Sequence, residues 1–220
     1  MTFYVLEAPK SDQSDAETIC LDAEKTQMGT APRCPVCGAA VGQLRPLPPR
    51  QIEVALGGRR FGDLGFGLGT ELLVSERFRD AFVKSGLTGL PVFTPAEIIG
   101  VIARFGKIPT PIPSYFVAAP ARSRAIIDDR ASGIDYSQRW KCKECKSGMM
   151  MRLRRLVLEP GSWSGEDIFI ARGLPGTVIT SERFKQFCDG HSFSNCFLVD
   201  ANHYHFDFFP NDCPSGPTRA

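Results

Sequence analysis

The sequence predicts an α+β protein made of two related modules, each a C-x-x-C knuckle followed by strands and a serine-capped helix, and joined through their cysteines. Three observations carry this. Two knuckles are present, Cys34-Pro-Val-Cys37-Gly38 and Cys142-Lys-Glu-Cys145, with 104 residues between Cys37 and Cys142. The tetrapeptide Ser75-Glu-Arg-Phe78 recurs as Ser181-Glu-Arg-Phe184, 38 residues after Cys37 and 36 after Cys145 respectively. Glycine (21) and proline (17) together exceed one residue in six, which favours short elements joined by turns and argues against a helical bundle.

Taken in order, residues 2–7 read as a first strand from their β-branched and aromatic content. Residues 10–30 are polar and acidic around Ile19-Cys20-Leu21 and read as a short surface helix or loop, with Cys20 a plain thiol. The first knuckle and an extended proline connector (Pro46, Pro48, Pro49) follow. The stretches Thr70–Val74 and Gly176–Thr180 read as matching strands, each preceded by an aspartate, Asp63 or Asp167. Serine then starts each helix, because its hydroxyl accepts from an early helical N–H, and the next glutamate complements the helix dipole. Phe78 and Phe82 share one helix face, as do Phe184 and Cys188, with Phe187 beside them, and Gly86 and Gly190 are expected at the C-caps. Between the repeats, Pro95–Ala103 fits a short helix or a buried strand, Ile108–Tyr115 is extended by its prolines, and Tyr115–Ala119 fits a strand. Arg152–Leu158 reads as a strand with a solvated face. His203, His205 and Asp207 alternate, and would share one strand face. The expected organisation is one pseudo-symmetric unit over 1–220: module A at 31–94, a connector at 95–138, module B at 139–209, and a loose tail at 210–220.

A C-x-x-C turn sets two thiolates on one side of a tight loop, half of a tetrahedral zinc site. Since each knuckle supplies two ligands, Cys34, Cys37, Cys142 and Cys145 are expected to meet on one structural Zn²⁺ in a zinc-ribbon-like site of four cysteines. The long separation leaves open whether all four share one ion. The rivals are a redox pair, which ordinarily opens a helix in a βαβ setting, and a disulfide, which suits secreted chains. The start MTFYVLEAPK lacks the basic and apolar regions of a secretory leader, which argues against the disulfide reading.

Net charge is +2, so nothing global draws the chain to nucleic acid or anionic membrane, and no apolar run is long enough to span a bilayer. Sixteen phenylalanines against four tyrosines and two tryptophans point to aromatic core packing or an apolar contact surface. Gly65-Phe-Gly-Leu-Gly69 is neither a dinucleotide fingerprint nor a P-loop, and neither G-x-S-x-G nor H-E-x-x-H occurs. A Cys188 or Cys196 pair with His191 has no support beyond proximity. A non-enzymatic protein is expected. The one basic cluster (Arg139, Lys141, Lys143, Lys146, Arg152, Arg154, Arg155) carries the competing reading, a zinc-ribbon nucleic-acid-binding or transcription-associated protein. A thiol oxidoreductase is a third and weaker reading.

The chain resembles the myxobacterial double-CXXCG motif family of immunity proteins, partners of polymorphic toxins passed between kin cells. The resemblance rests on the first knuckle, Phe61-Gly-Asp63-Leu, Leu72-Leu-Val-Ser-Glu-Arg-Phe78, Gly86-Leu-Thr-Gly-Leu90, the second knuckle and the second Ser-Glu-Arg-Phe, nearly the whole chain. Lys146 departs from it by standing where the motif has glycine. The resemblance implies a cytoplasmic protein that binds and neutralises one cognate toxin. The candidate partner surfaces are the acidic segment (Asp12, Asp15, Glu17, Asp22, Glu24), the proline run at 107–115, and the strand carrying His203, His205 and Asp207. Acidic residues suit a basic nuclease toxin, because complementary charge speeds association.

Overall fold

The computed structural model describes residues 1–9, 14–22 and 27–208. They form a mixed α+β structure, mostly strands, with two helices among the described residues. The chain runs β1 (Phe3–Glu7), β2 (Thr18–Asp22), β3 (Arg50–Leu56), β4 (Leu64–Leu68), β5 (Glu71–Ser75), α1 (Glu76–Ser85), β6 (Phe93–Ala103) and β7 (Tyr115–Ala118). It continues through β8 (Ala121–Ile126), β9 (Asp135–Gln138), β10 (Met149–Leu153), β11 (Ile168–Arg172), β12 (Val178–Ser181), α2 (Glu182–His191), β13 (Phe197–Asp200) and β14 (Phe206–Asp207). Neither helix is long and apolar enough to cross a membrane.

Strands β2–β7 close a barrel in the order β2-β3-β6-β7-β5-β4, whereas the second sheet is open, in the order β13-β1-β12-β11-β8. Apart from β3, which closes the barrel, the two sheets share one pattern. In both, the strand after the helix pairs antiparallel with a strand (β7 or β1) that pairs antiparallel with the strand before the helix. That strand pairs antiparallel with its predecessor, which then pairs in parallel with an outer strand, β2 or β8. The register agrees too: Leu64 faces Val74 and Ile168 faces Thr180, each one residue before a helix-capping serine. A third sheet, β14-β10-β9, is not hydrogen-bonded to these two but packs through Leu153, Met150 and Phe206 against the open one.

Both helices start as the sequence dictates. Ser75 Oγ accepts from Phe78 N–H and Ser181 Oγ from Phe184 N–H, each at 3.2 Å. Each serine hydroxyl also donates, at 2.8 Å, to the aspartate ahead of its hairpin: Ser75 to Asp63 and Ser181 to Asp167. One hydroxyl thus caps a helix and anchors it to a buried carboxylate. The arginine two residues on completes the set, Arg77 Nη2 reaching Asp63 at 2.6 Å and Arg183 Nη1 reaching Asp167 at 3.2 Å. Burial pushes the Asp63 carboxyl up, but Arg77, the Ser194 N–H and the Ser75 hydroxyl outweigh it and hold the group below its ordinary value.

Alternation along the strands divides the core. Leu72 and Val74 of β5, with Val178 of β12, point to a core shared by both helices, where Phe78 lies 6.3 Å from Phe184, 5.8 Å from Phe187 and 4.9 Å from Phe193. Leu73 points instead into the barrel with Val54, Leu56 and Tyr115, and Ile179 into a third core beneath the open sheet with Val5, Ile127 and Leu153. Each buried phenylalanine is worth roughly 1.5–3 kcal/mol of transfer free energy. Eight of the sixteen phenylalanines pack in or against this core where the two helices meet, while Phe105 and Phe208 are exposed.

Several expectations are corrected. The segment read as helix or loop contains β2, a barrel strand, and Cys20 is buried inside the barrel at 2 % exposure. Of the two readings of Pro95–Ala103 the strand holds and the helix does not: the stretch belongs to the 11-residue β6, whose residues are half-buried or exposed. The stretch 95–138, read as a connector, supplies β6 and β7 to the barrel and β8 to the open sheet. The strand after the second knuckle is Met149–Leu153 and stops before Arg154. Gly190 lies inside α2, which is capped by Ser192 at φ 50°. Residues 203–209 do not form one strand: His203 sits in a turn, and β14 comprises Phe206 and Asp207 alone. The tail at 210–220, with Cys213, lies outside the described residues.

Candidate metal centre

The four knuckle cysteines come together. Their sulfurs all lie within 4.8 Å of one another, with Cys34 and Cys142 at 3.9 Å and Cys37 and Cys145 at 3.7 Å. A tetrahedron of thiolates around a metal at about 2.3 Å places its sulfurs roughly 3.8 Å apart, and a disulfide brings them to about 2.05 Å. The cluster fits the first and not the second. These cysteines are placed to hold a metal ion, and they form the one such group among the described residues. The equivalent cysteine of one knuckle faces the equivalent cysteine of the other, across 108 residues in both cases.

The loops explain the convergence. The residue after the second cysteine turns into the left-handed region, Gly38 at φ 72° and Lys146 at φ 47°. Its N–H then donates to the carbonyl of the first cysteine at 2.9 Å in both knuckles, folding each loop so that both sulfurs face one way. Glycine adopts this conformation freely, and lysine does not. Lys146 is held there by its side chain, which is buried at 7 % exposure. Its ammonium donates to Ile127 O at 2.7 Å, Glu159 at 2.8 Å and Asp129 at 3.2 Å, and lies 5.4 Å from the centre of the Trp140 ring. The departure from glycine at 146 therefore leaves the loop geometry intact.

The thiols are not equivalent. Backbone N–H groups, that of Cys37 foremost, lower Cys34 to about 7 despite its burial, and burial raises Cys145 to about 12. Cys34 is buried and Cys37 exposed, so one side of the cluster faces solvent. Glu144, inside the second knuckle, is tied to β11 by an ion pair with Arg172 at 3.0 Å.

The other candidate residues that the structure describes lie on separate segments. Glu17 is buried at 7 % exposure, packed so closely on Gly57 that a Cβ there would meet its carboxylate, so it belongs to no acidic docking face. Asp15 is exposed and pairs with Arg60 at 3.3 Å. Asp22 ends β2, and Asp12 and Glu24 lie outside the described residues. His203 and His205 are exposed, and Asp207 pairs with Arg152 at 2.6 Å. The basic cluster is likewise divided: Lys146 is internal, and Arg139 reaches toward Asp129 at 3.8 Å. The residues missed at the sequence level are Asp129, Glu159 and Trp140 around Lys146, and their one sequence signal is a lysine at a glycine position.

No family model matches this chain, and no curated protein matches it.

Proposed function

We propose that this chain is a non-enzymatic immunity protein that binds and neutralises a cognate protein toxin in the cytoplasm, with Zn²⁺ in the four-cysteine cluster holding the fold. The observation that carries the metal part is the closed set of four sulfurs from two distant segments. Four thiolates favour zinc, and four protein ligands leave no open position for chemistry. A metal there acts as a staple between the two halves.

The second part of the reading is a duplicated architecture, two related modules in one unit. It is supported by the shared strand pattern of the two sheets and by the matching serine, aspartate and arginine contacts. The β1 strand of the first half lies in the second half's sheet, and β7, at the start of the second half, lies in the barrel. We read this as an exchange of first strands between modules. The toxin partner rests on the resemblance of the knuckles and the repeated Ser-Glu-Arg-Phe stretch to the double-CXXCG immunity proteins. The nucleic-acid reading is weakened because Lys146, Arg152 and Arg139 of the basic cluster have carboxylate neighbours.

The test is co-expression of this chain with the toxin encoded beside its gene in a sensitive host, followed by co-purification. Rescue with a stable complex supports immunity. Without rescue or complex, together with affinity for DNA or RNA that falls steeply with salt, the nucleic-acid reading replaces it.

A further inference from the structure

Beside the cysteine cluster lies a cleft of about 230 Å³ whose floor is β8 and β11 and whose rim is formed by the two knuckles. Its lining includes the apolar Pro32, Val41, Ile170 and Pro175, and its charged side chains are mostly basic: Arg33, Arg122, Arg124 and Arg172 with Glu144, beside the cluster cysteines Cys34 and Cys145. Glu144 is already engaged by Arg172, and Arg33 donates to Gly38 O at 2.9 Å. Arg122 and Arg124 alternate along β8 with the buried Ser123 and Ala125, so they project from the same face. Neither has a hydrogen-bond or ion-pair partner among the described residues.

Arg122, although exposed, packs its guanidinium against the backbone of the first knuckle's flank. Its guanidinium occupies the space above Gly42, where a Cβ would come within 2.0 Å of Nη2. The same side chain lines a second, smaller hollow with Arg45 and Gln43. Burial, and then the like charge of Arg45, lower its pKa. A cation that is partly removed from water beside another cation is unfavourable by itself, and a bound anion relieves both costs.

We propose that this cleft is a binding site for a carboxylate carried on a small apolar stem, gripped by Arg122 and Arg124. The guanidinium fork matches a carboxylate through paired hydrogen bonds, and partial desolvation strengthens them. The volume falls below the roughly 300–1,000 Å³ of ordinary ligand pockets. It accommodates one acidic side chain with an apolar neighbour, or a free acid of benzoate size, and is too small for a nucleotide.

The experiment is a titration of the full-length, metal-loaded protein with two probes, benzoate and a capped peptide with one glutamate between two leucines. It is followed by heteronuclear NMR at the arginine Nε–H groups. We expect saturable shifts at Arg122 and Arg124, and affinity at least tenfold weaker in Arg122→Ala. Gly42→Ala keeps every charge but displaces the guanidinium, and should weaken binding similarly. Saturation by benzoate assigns the site to small acids, and saturation by the peptide alone assigns it to an acidic protein segment. The proposal fails if neither probe saturates or if both variants bind as the parent does. It also fails if the variants lose binding only together with metal, since the arginines would then merely balance the charge of the thiolate cluster. Neither probe involves a toxin, so a failed rescue leaves this outcome untouched.

Discussion

Asp63 and Ser194 are joined across 131 residues by three hydrogen bonds: Ser194 N–H and Oγ donate to Asp63 Oδ2 at 2.9 and 2.8 Å, and Asp63 N–H donates to Ser194 Oγ at 2.9 Å. Thr88, after α1, does the same for Asp167: its N–H donates to Oδ2 at 3.0 Å, and its carbonyl accepts from Asp167 N–H at 3.1 Å. Each aspartate thus fixes the start of its own helix and the loop that follows the other helix. The two locks are reciprocal, and they close around the shared phenylalanine core.

Removing either carboxylate strands several buried donors at once. We expect Asp63→Ala and Asp167→Ala each to cost about 2–4 kcal/mol, because each orphaned buried group carries a desolvation penalty of about 1–3 kcal/mol. Arg77→Ala should cost under about 1 kcal/mol, since its side chain is 55 % exposed and water replaces it. Urea unfolding of the three variants checks this. A loss in Arg77→Ala as large as in Asp63→Ala would mean that the ion pair, and not the cross-chain lock, holds the structure.

Acid should open the first lock. Asp63 has a folded-state pKa below its ordinary 3.8, so its contribution is complete above the unfolded carboxylate range and disappears as pH falls through the folded value. Stability measured by urea between about pH 5 and pH 2 should therefore fall more steeply in the parent than in Asp63→Asn, whose amide does not titrate. Parallel curves would assign the acid limb to other groups.

The parts of the fold legible in the sequence are those set by local physics. The capped helices follow from serine at a strand end with a phenylalanine face, and the knuckles from cysteine spacing plus one left-handed residue. The aspartates were visible as a repeated letter, but their partners Ser194 and Thr88 are fixed only by the closing of the two sheets. Likewise β2 is polar at Thr18 and Asp22, and becomes a strand because β3 pairs along its whole length. The alternation at 203–207 is real at the level of residue type. Asp200, accepting from Asn202 and from the N–H groups of His203 and Tyr204, turns the chain there and leaves only two paired residues.

Lys146 sets two effects against each other. Lys146→Gly removes the left-handed strain, about 1–2 kcal/mol. It also leaves the Ile127 carbonyl, Asp129 and Glu159 without their ammonium, a loss of about 3–5 kcal/mol for a buried charged group. Lys146→Ala keeps the strain and loses the same contacts. The expected order of stability is parent, then Lys146→Gly, then Lys146→Ala, read from denaturation midpoints. A glycine variant as stable as the parent would show that the lysine's contacts do no more than offset the strain of its backbone.

Metal removal should act on the whole molecule. A cross-link closing a loop of about 100 residues removes roughly 4–5 kcal/mol of chain entropy from the unfolded state, and a metal bridge between Cys37 and Cys142 closes such a loop. At about 2–4 °C per kcal/mol for a chain of this size, chelation should lower Tm by roughly 10–20 °C. Cys37→Ser and Cys142→Ser should each reproduce that fall and lose the bound metal, measured as metal per chain by plasma mass spectrometry. Because coordination requires thiolates, retention should also fall on acidification in the parent. If one variant keeps a full equivalent of metal and its Tm, then the two knuckles do not share one ion. The staple between the two halves would then have to be the aspartate locks alone.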